Sequence, residues 1–172
     1  RAGRLTPQLV DQTADVIAAA HAAAKPVLTA GYVADYRGII HELHATEDHG
    51  AHQLDLEPGD PAVFDRLDAE LAHIDPLIEA RRRAGKVHRA HSDLHLRNIC
   101  LFEGRPTPFD AMEFDAHMAT KDRLYDLAFL LMDLVRIGHL PEANRLMNRY
   151  WDTSGEEETA FRVLPFFMAL RA

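Results

Sequence analysis

The string His91-Ser92-Asp93-Leu94-His95-Leu96-Arg97-Asn98 (HSDLHLRN), continued by ICLFEGRPTPFD over 99–110, decides how the chain reads. Two short β-prone runs, Ile99-Cys100-Leu101-Phe102 and Thr107-Pro108-Phe109, flank Glu103-Gly104-Arg105-Pro106, which predicts a small β-hairpin. Gly104 lies six residues from Asn98 and six from Asp110, so a hairpin turning there is expected to set those two opposite each other at its open end. An amide oxygen beside a carboxylate suits Mg²⁺, which takes oxygen ligands and leaves room for water and phosphate. Asp93, five residues before Asn98, enters the same end, within reach of a hydroxyl bound near that metal. One carboxylate to orient a nucleophile, with an Asn and an Asp for Mg²⁺, is the part list of phosphoryl transfer.

Around this stretch the periodicity is helical. Thr6-Pro7 is a helix start, and Leu9, Thr13, Val16, Ile17 and Ala20 recur at helical spacing until Lys25-Pro26. Tyr32, Tyr36, Ile39, Ile40 and Leu43 form a second stripe, after which 46–59 reads as a polar, His-rich loop. A third helix opens at Asp60-Pro61 with Val63, Phe64, Leu67, Leu71 and Ile74. Pro76 either kinks that helix or separates it from a short one ending in Arg81, Arg82, Arg83 and Gly85. The segment 122–137 is strongly apolar and predicts a central, buried helix stopped by Gly138. Two more helices follow, at about 141–151 and after Glu156. Only the hairpin looks strand-like, so the fold class expected is mainly α (α+β), and Cys100 is expected to be a small buried hydrophobe in its strand.

HSDLHLRN, the later FDAMEFD (109–115) and the helix opening DRLYDLAFLLMDL (122–134) resemble the aminoglycoside phosphotransferase-like kinases. The likeness is narrower to a bacterial branch whose members are often fused to a P-loop ATPase domain, and it is strong over 87–137 and looser elsewhere. It implies a protein-kinase-like C-terminal lobe spanning 1–172, with its catalytic loop and hairpin at about 87–116. Position by position, it implies that Asp93 is the catalytic base and that Asn98 and Asp110 hold Mg²⁺ on ATP. His91 would brace the loop, and Asp126 would match a buried Asp that hydrogen-bonds the catalytic-loop backbone. His95 and Arg97 are further candidates for contact with phosphate or substrate, and Glu113 and Asp115, close after Asp110, for contact with the metal or substrate. Ser92 departs from the pattern, standing where the family usually has Gly, so a positive φ there would strain it.

A kinase of this kind also needs an N-terminal lobe with a loop over the phosphates and a Lys for them. The two closest glycines, Gly31 and Gly38, are seven residues apart, and no G-x-x-x-x-G-K-[ST] string occurs. The N-terminal lobe is therefore expected to be absent. The start at Arg1 rather than Met and the apolar run to Ala172 also read as a fragment, one expected to bind Mg·ATP weakly and turn over poorly by itself. The expected partners are ATP, a small hydroxylated molecule, the missing lobe and, as a candidate, a fused P-loop ATPase domain.

Composition bounds the alternatives. With 47% hydrophobic residues, nine Gly, nine Pro and one Cys, the 172 residues exclude collagen-like, disordered and disulfide-scaffold classes. A net charge of −8 argues against nucleic acid, and no apolar run reaches the roughly 20 residues a membrane helix needs. The lone Cys and the lack of a signal peptide point to the cytoplasm. Two other functions stay open. One is a kinase-like binding module without catalysis. The other is a metal-binding or hydrolase domain built on His41, Glu42, His44, His49 and His52, although H-E-L-H lacks the H-E-x-x-H spacing of metalloproteases. The acceptor is read no further than a hydroxyl on a small polar metabolite.

Overall fold

The structure, a computed structural model, describes residues 5–54, 60, 62–113, 116 and 118–172, with the side chains of 48–54 outside that description. The elements in chain order are α1 (Pro7–Ala23), α2 (Val33–Leu54), α3 (Ala62–Arg83), β1 (Val87–Arg89), a 3₁₀ turn (Leu96–Asn98), β2 (Ile99–Phe102), β3 (Arg105–Pro108), β4 (Thr120–Asp122), α4 (Arg123–Arg136), α5 (Leu140–Ser154) and α6 (Ala160–Ala169). The chain is mainly helical with a small antiparallel β part.

Local chemistry sets most of these bounds. The Thr6 hydroxyl accepts from the Leu9 N–H at 3.2 Å and Pro7 opens α1, while Gly155 closes α5 in the left-handed conformation. Nine of the fourteen residues of α4 are buried, among them Leu124, Leu127, Leu130 and Leu134, and α1, α5 and α6 pack around the core they build. Tyr36 of α2, Tyr125 of α4 and Phe167 of α6 meet in one aromatic cluster with ring centroids 5.0–5.9 Å apart.

Several expectations from the sequence need correction. The second helix does not stop for a His-rich loop. It runs on to Leu54, because nothing between Thr46 and Leu54 breaks a helix except Gly50, which costs only about 1 kcal/mol. Of the two readings of Pro76, the separate short helix is overturned, because α3 runs through it to Arg83. The hairpin is not alone either: β1 and β4 pair antiparallel, Val87 opposite Asp122 and Arg89 opposite Thr120. Three-residue strands 33 positions apart leave no alternation to read. The buried face of α1 is Val10, Ala14, Ile17, Ala18 and His21, rotated from the apolar stripe because a histidine completes it. Cys100 is exposed rather than buried, since its two-stranded sheet presents that face outward.

Of the three arginines ending α3, Arg81 turns into the interior. It donates to both carboxylate oxygens of Asp122, at 2.7 and 2.9 Å, and to Glu156 at 2.7 Å. Asp122 also caps α4, accepting from the Leu124 N–H at 2.9 Å, so this cluster fixes where α4 begins relative to α3 and β1.

Gly31 shows how tightly β1 is covered. Its φ is +72°, and a Cβ there would stand 2.6 Å from Cγ2 of the buried Val87. Gly31→Ala is expected to cost about 1–3 kcal/mol in urea denaturation, from the left-handed backbone and the clash together. A loss below about 0.5 kcal/mol would contradict that packing.

Candidate functional site

The β1–β4 pair delivers the chain from β1 directly beside the start of α4, with the Ala90 N–H donating to Ala119 at 2.8 Å. The loop that follows is held from beneath by two carboxylates of α4, seven residues apart and so on one helix face. Asp126, 1% exposed, accepts from the N–H of His91 at 2.8 Å and of Ser92 at 2.7 Å. Asp133 accepts from the Leu96 N–H at 3.0 Å at the other end of the loop. His91 braces the loop against the hairpin: its Nε2 is 2.9 Å from the Phe109 carbonyl, and its own carbonyl accepts from the Met112 N–H at 3.0 Å. Ser92 adopts φ +65°, and its carbonyl accepts from the Arg171 guanidinium at 2.6 Å. Arg171 itself lies over the rings of Tyr125 and Phe129.

On the outer side of this loop Asp93 is half-exposed. Asn98 is buried, and its Nδ2 donates to both the Asp93 carbonyl, at 3.0 Å, and Asp93 Oδ2, at 2.9 Å. Both partners are acceptors, so the amide must present its NH₂ group to them. Asn98 Oδ1 is thereby left without a hydrogen bond from the described residues. Asp93 and Asp110 line one cavity of about 450 Å³ with Ala111, Met112 and Glu113. The Asp110 carboxylate makes no ion pair or hydrogen bond among the described residues. His95 stands edge-on to Phe129, its Nε2 3.5 Å from Asp93 Oδ2. Arg97 is exposed and apart from this group, and Asp115 lies outside the described residues.

The hairpin register differs from expectation by one residue. Both Glu103 (φ +49°) and Gly104 (φ +77°) take positive φ, as a two-residue type I′ turn requires, so the turn is centred between them and not on Gly104. Ile99 therefore pairs with Pro108, and the Asn98 carbonyl accepts from Phe109, not Asp110, at 2.9 Å. Asp110 sits one residue beyond the pair with φ +62°, where the chain swings toward the Asp93 cavity.

Unpaired carboxylate and amide oxygens are hard donors that suit Mg²⁺, an ion usually held by one or two carboxylates together with substrate phosphates. Asn98 and Asp110 supply donors of that kind. Among the described residues no group of three or more His, Cys, Asp or Glu could hold a metal. His41 approaches Asp68 at 3.9 Å, and His44 stacks on Phe64 at 4.4 Å, so each is engaged with α3. The side chains of His49 and His52 lie outside the described residues.

Sequence reasoning did not find His21, Asp133, Tyr150 or Arg171. Asp133 carried a signal, an acid on an otherwise apolar helix face two turns from Asp126. His21 reaches Asp126 from 105 positions earlier, and Tyr150 and Arg171 come from beyond α4, with no local mark in the sequence.

The buried acids also set the response to pH. Burial pushes Asp126 up, but the hydrogen bond from the His21 imidazole and the two loop N–H donors hold it below the ordinary carboxylate range. In Glu156 burial is likewise outweighed by Arg81, Arg123 and Lys86. Burial, above all, lowers His88. Each of these groups binds fewer protons folded than unfolded, so its contribution is full above the unfolded pKa and is lost as pH falls through the folded value. Stability is expected to begin falling near about pH 6.5, from His88, and to fall more steeply below about pH 4, from the carboxylates. Urea midpoints across that range check this, and a flat profile would contradict it.

No helix among the described residues is long and apolar enough to cross a membrane. No family model matches the chain. Over 96 residues, 56% of its length, it is 32% identical to a protein of Mycobacterium bovis and to proteins of two Mycobacterium tuberculosis strains, each described only as uncharacterised. The matched stretch covers 19% of each relative, so the chain is similar to about a fifth of those longer proteins.

Proposed function

We propose that the chain is the C-terminal lobe of a protein-kinase-like phosphotransferase, of the aminoglycoside-phosphotransferase type, that moves the γ-phosphoryl group of ATP to a hydroxyl of a small polar molecule. The observation that carries this reading is the single cavity shared by Asp93 and Asp110, with Asn98 locked to Asp93 and its amide oxygen unpaired. Asn98 and Asp110 would hold Mg²⁺, which when bound offsets the charge of the triphosphate and orients it. Asp93 Oδ2 is engaged by Asn98, so Oδ1 is the oxygen that orients the acceptor hydroxyl and receives its proton. The acceptor oxygen bonds to the γ-phosphorus as the β,γ-bridging P–O bond breaks, and ADP leaves.

Leu101 and Phe102, neighbours on β2 that point to opposite faces near the hairpin turn, are 61% and 62% exposed and would be open to a second lobe. Turnover is accordingly proposed for the longer protein that carries this lobe. The experiment is a phosphotransfer screen of that protein with Mg·ATP against small hydroxylated metabolites and aminoglycosides. Magnesium-dependent transfer to at least one acceptor is expected, and transfer to none across sugars, amino alcohols, hydroxy-amino acids and aminoglycosides would count against the reading.

A further inference from the structure

Beneath the loop, Asp126 has a third partner that the proposed chemistry does not use. His21, in the last turn of α1, places Nε2 3.4 Å from Asp126 Oδ2 and Nδ1 2.8 Å from the hydroxyl of Tyr150 on α5. All three side chains are buried and come from three different helices. From β1, His88 packs its ring 5.0 Å from that of His21, with both its nitrogens buried and without a hydrogen-bond partner among the described residues, and a cavity of about 90 Å³ is lined by His21 and Asp126 together with Arg89 and His91. These, with Asp126 and Tyr150, are the titratable and charged groups around the His21 imidazole.

We infer that Tyr150 and His21 are positioning residues: the Tyr150 hydroxyl locks His21 in the tautomer that donates to Asp126, and this chain holds the Asp126 carboxylate where it orders the His91–Ser92 backbone. With Nε2 3.4 Å from a buried carboxylate oxygen, an imidazole protonated only on the far nitrogen would set two lone pairs against each other, so the carboxylate favours a proton on the near nitrogen. The far nitrogen then needs a donor. Tyr150 supplies it, because burial pushes its hydroxyl well above the ordinary tyrosine range and keeps it protonated. A doubly protonated ring would reverse that bond and leave the Tyr150 proton with no acceptor among the described residues. The order of donors is therefore Tyr150 hydroxyl to His21 Nδ1, then His21 Nε2–H to Asp126. Asp126 in turn accepts the two N–H groups that precede Asp93. This order of hydrogen bonds does not rest on the phosphotransfer reading.

The test is therefore made without nucleotide, on the ¹⁵N-labelled chain, by long-range ¹H–¹⁵N spectra of the His21 ring and by amide hydrogen exchange. In the unsubstituted chain Nε2 is expected to be protonated and Nδ1 bare. In Tyr150→Phe the ring should become a tautomer mixture, and the His91 and Ser92 amides should exchange at least tenfold faster relative to amides of the α4 core. His21→Leu should do the same. His21→Gln, whose amide nitrogen falls near Nε2, should restore most of the protection. Leu71→Ala, a core change on α3, which carries none of these donors, should alter exchange without singling out those two amides. A protonated Nδ1 in the unsubstituted chain would overturn the inference, as would His91 and Ser92 amides indifferent to both Tyr150→Phe and His21→Leu. Neither result would bear on whether Asp93 serves phosphoryl transfer.

Discussion

Asp93→Asn, introduced into the longer protein that carries this lobe, is expected to lower kcat by about 10²–10⁴-fold, the range lost with a positioned general base. The substitution keeps the shape of the side chain. Its amide oxygen can still accept from Asn98 Nδ2, now at 2.9 Å from Asp93 Oδ2, and the backbone carbonyl that receives the second Asn98 hydrogen bond is untouched. What disappears is a half-exposed carboxylate able to orient an acceptor hydroxyl and take its proton. The same variant should unfold within about 0.5 kcal/mol of the unsubstituted protein, because a near-isosteric change at a half-exposed site leaves no cavity and strands no buried charge. Steady-state kinetics and urea denaturation on one preparation separate the two effects. Unchanged turnover would remove Asp93 from the mechanism, and a large loss of stability would show that its carboxylate is chiefly structural.

Asp126→Ala should show the opposite pattern, a large structural cost. Its carboxylate is 1% exposed and accepts two backbone N–H groups, with a third partner in His21. Truncation leaves the His91 and Ser92 N–H groups and His21 Nε2 facing an empty space. Buried donors left unmade cost roughly 1–3 kcal/mol each, partly recovered here by no longer burying a charge. The expected loss is on the order of 2–4 kcal/mol, or about 4–16 °C in Tm for a chain of this size. Asp126→Asn should lose less, since it retains one acceptor oxygen. A change in Asp126→Ala below about 0.5 kcal/mol would mean that the loop is held by other contacts.

The contrast between these residues shows what a sequence can carry. Asp93, Asn98 and Asp110 stand within eighteen positions on a loop and a tight hairpin, so spacing and turn chemistry suffice to gather them. Even there the register was off by one, because Glu103 shares the left-handed turn that the reading gave to Gly104 alone. Helices α1 and α4 were legible from a capping Thr-Pro and from an apolar face, both local signals. The β1–β4 pair was not, since each strand is three residues long and gains its meaning only from the other. Arg81 read as a charge at a helix end, yet it is buried because Asp122 and Glu156, 41 and 75 positions away, meet it there. His21 completes the buried face of α1 without belonging to its apolar stripe. Its role depends on Asp126 and Tyr150, 105 and 129 positions later, and no local pattern encodes that meeting.

On the proposed phosphotransfer reading, Asn98 and Asp110 would take one divalent cation in company with a nucleotide. Mn²⁺ reports this directly, because it occupies Mg²⁺ sites of oxygen ligands and broadens nearby nuclear resonances. Added at low stoichiometry with ATP to the ¹⁵N-labelled chain, it should broaden the Asn98 side-chain amide and the backbone amides at Asp93 and Asp110 before any others, and Asp110→Asn should abolish that selectivity. Broadening spread over the acidic surface, or centred elsewhere and indifferent to Asp110→Asn, would contradict the account.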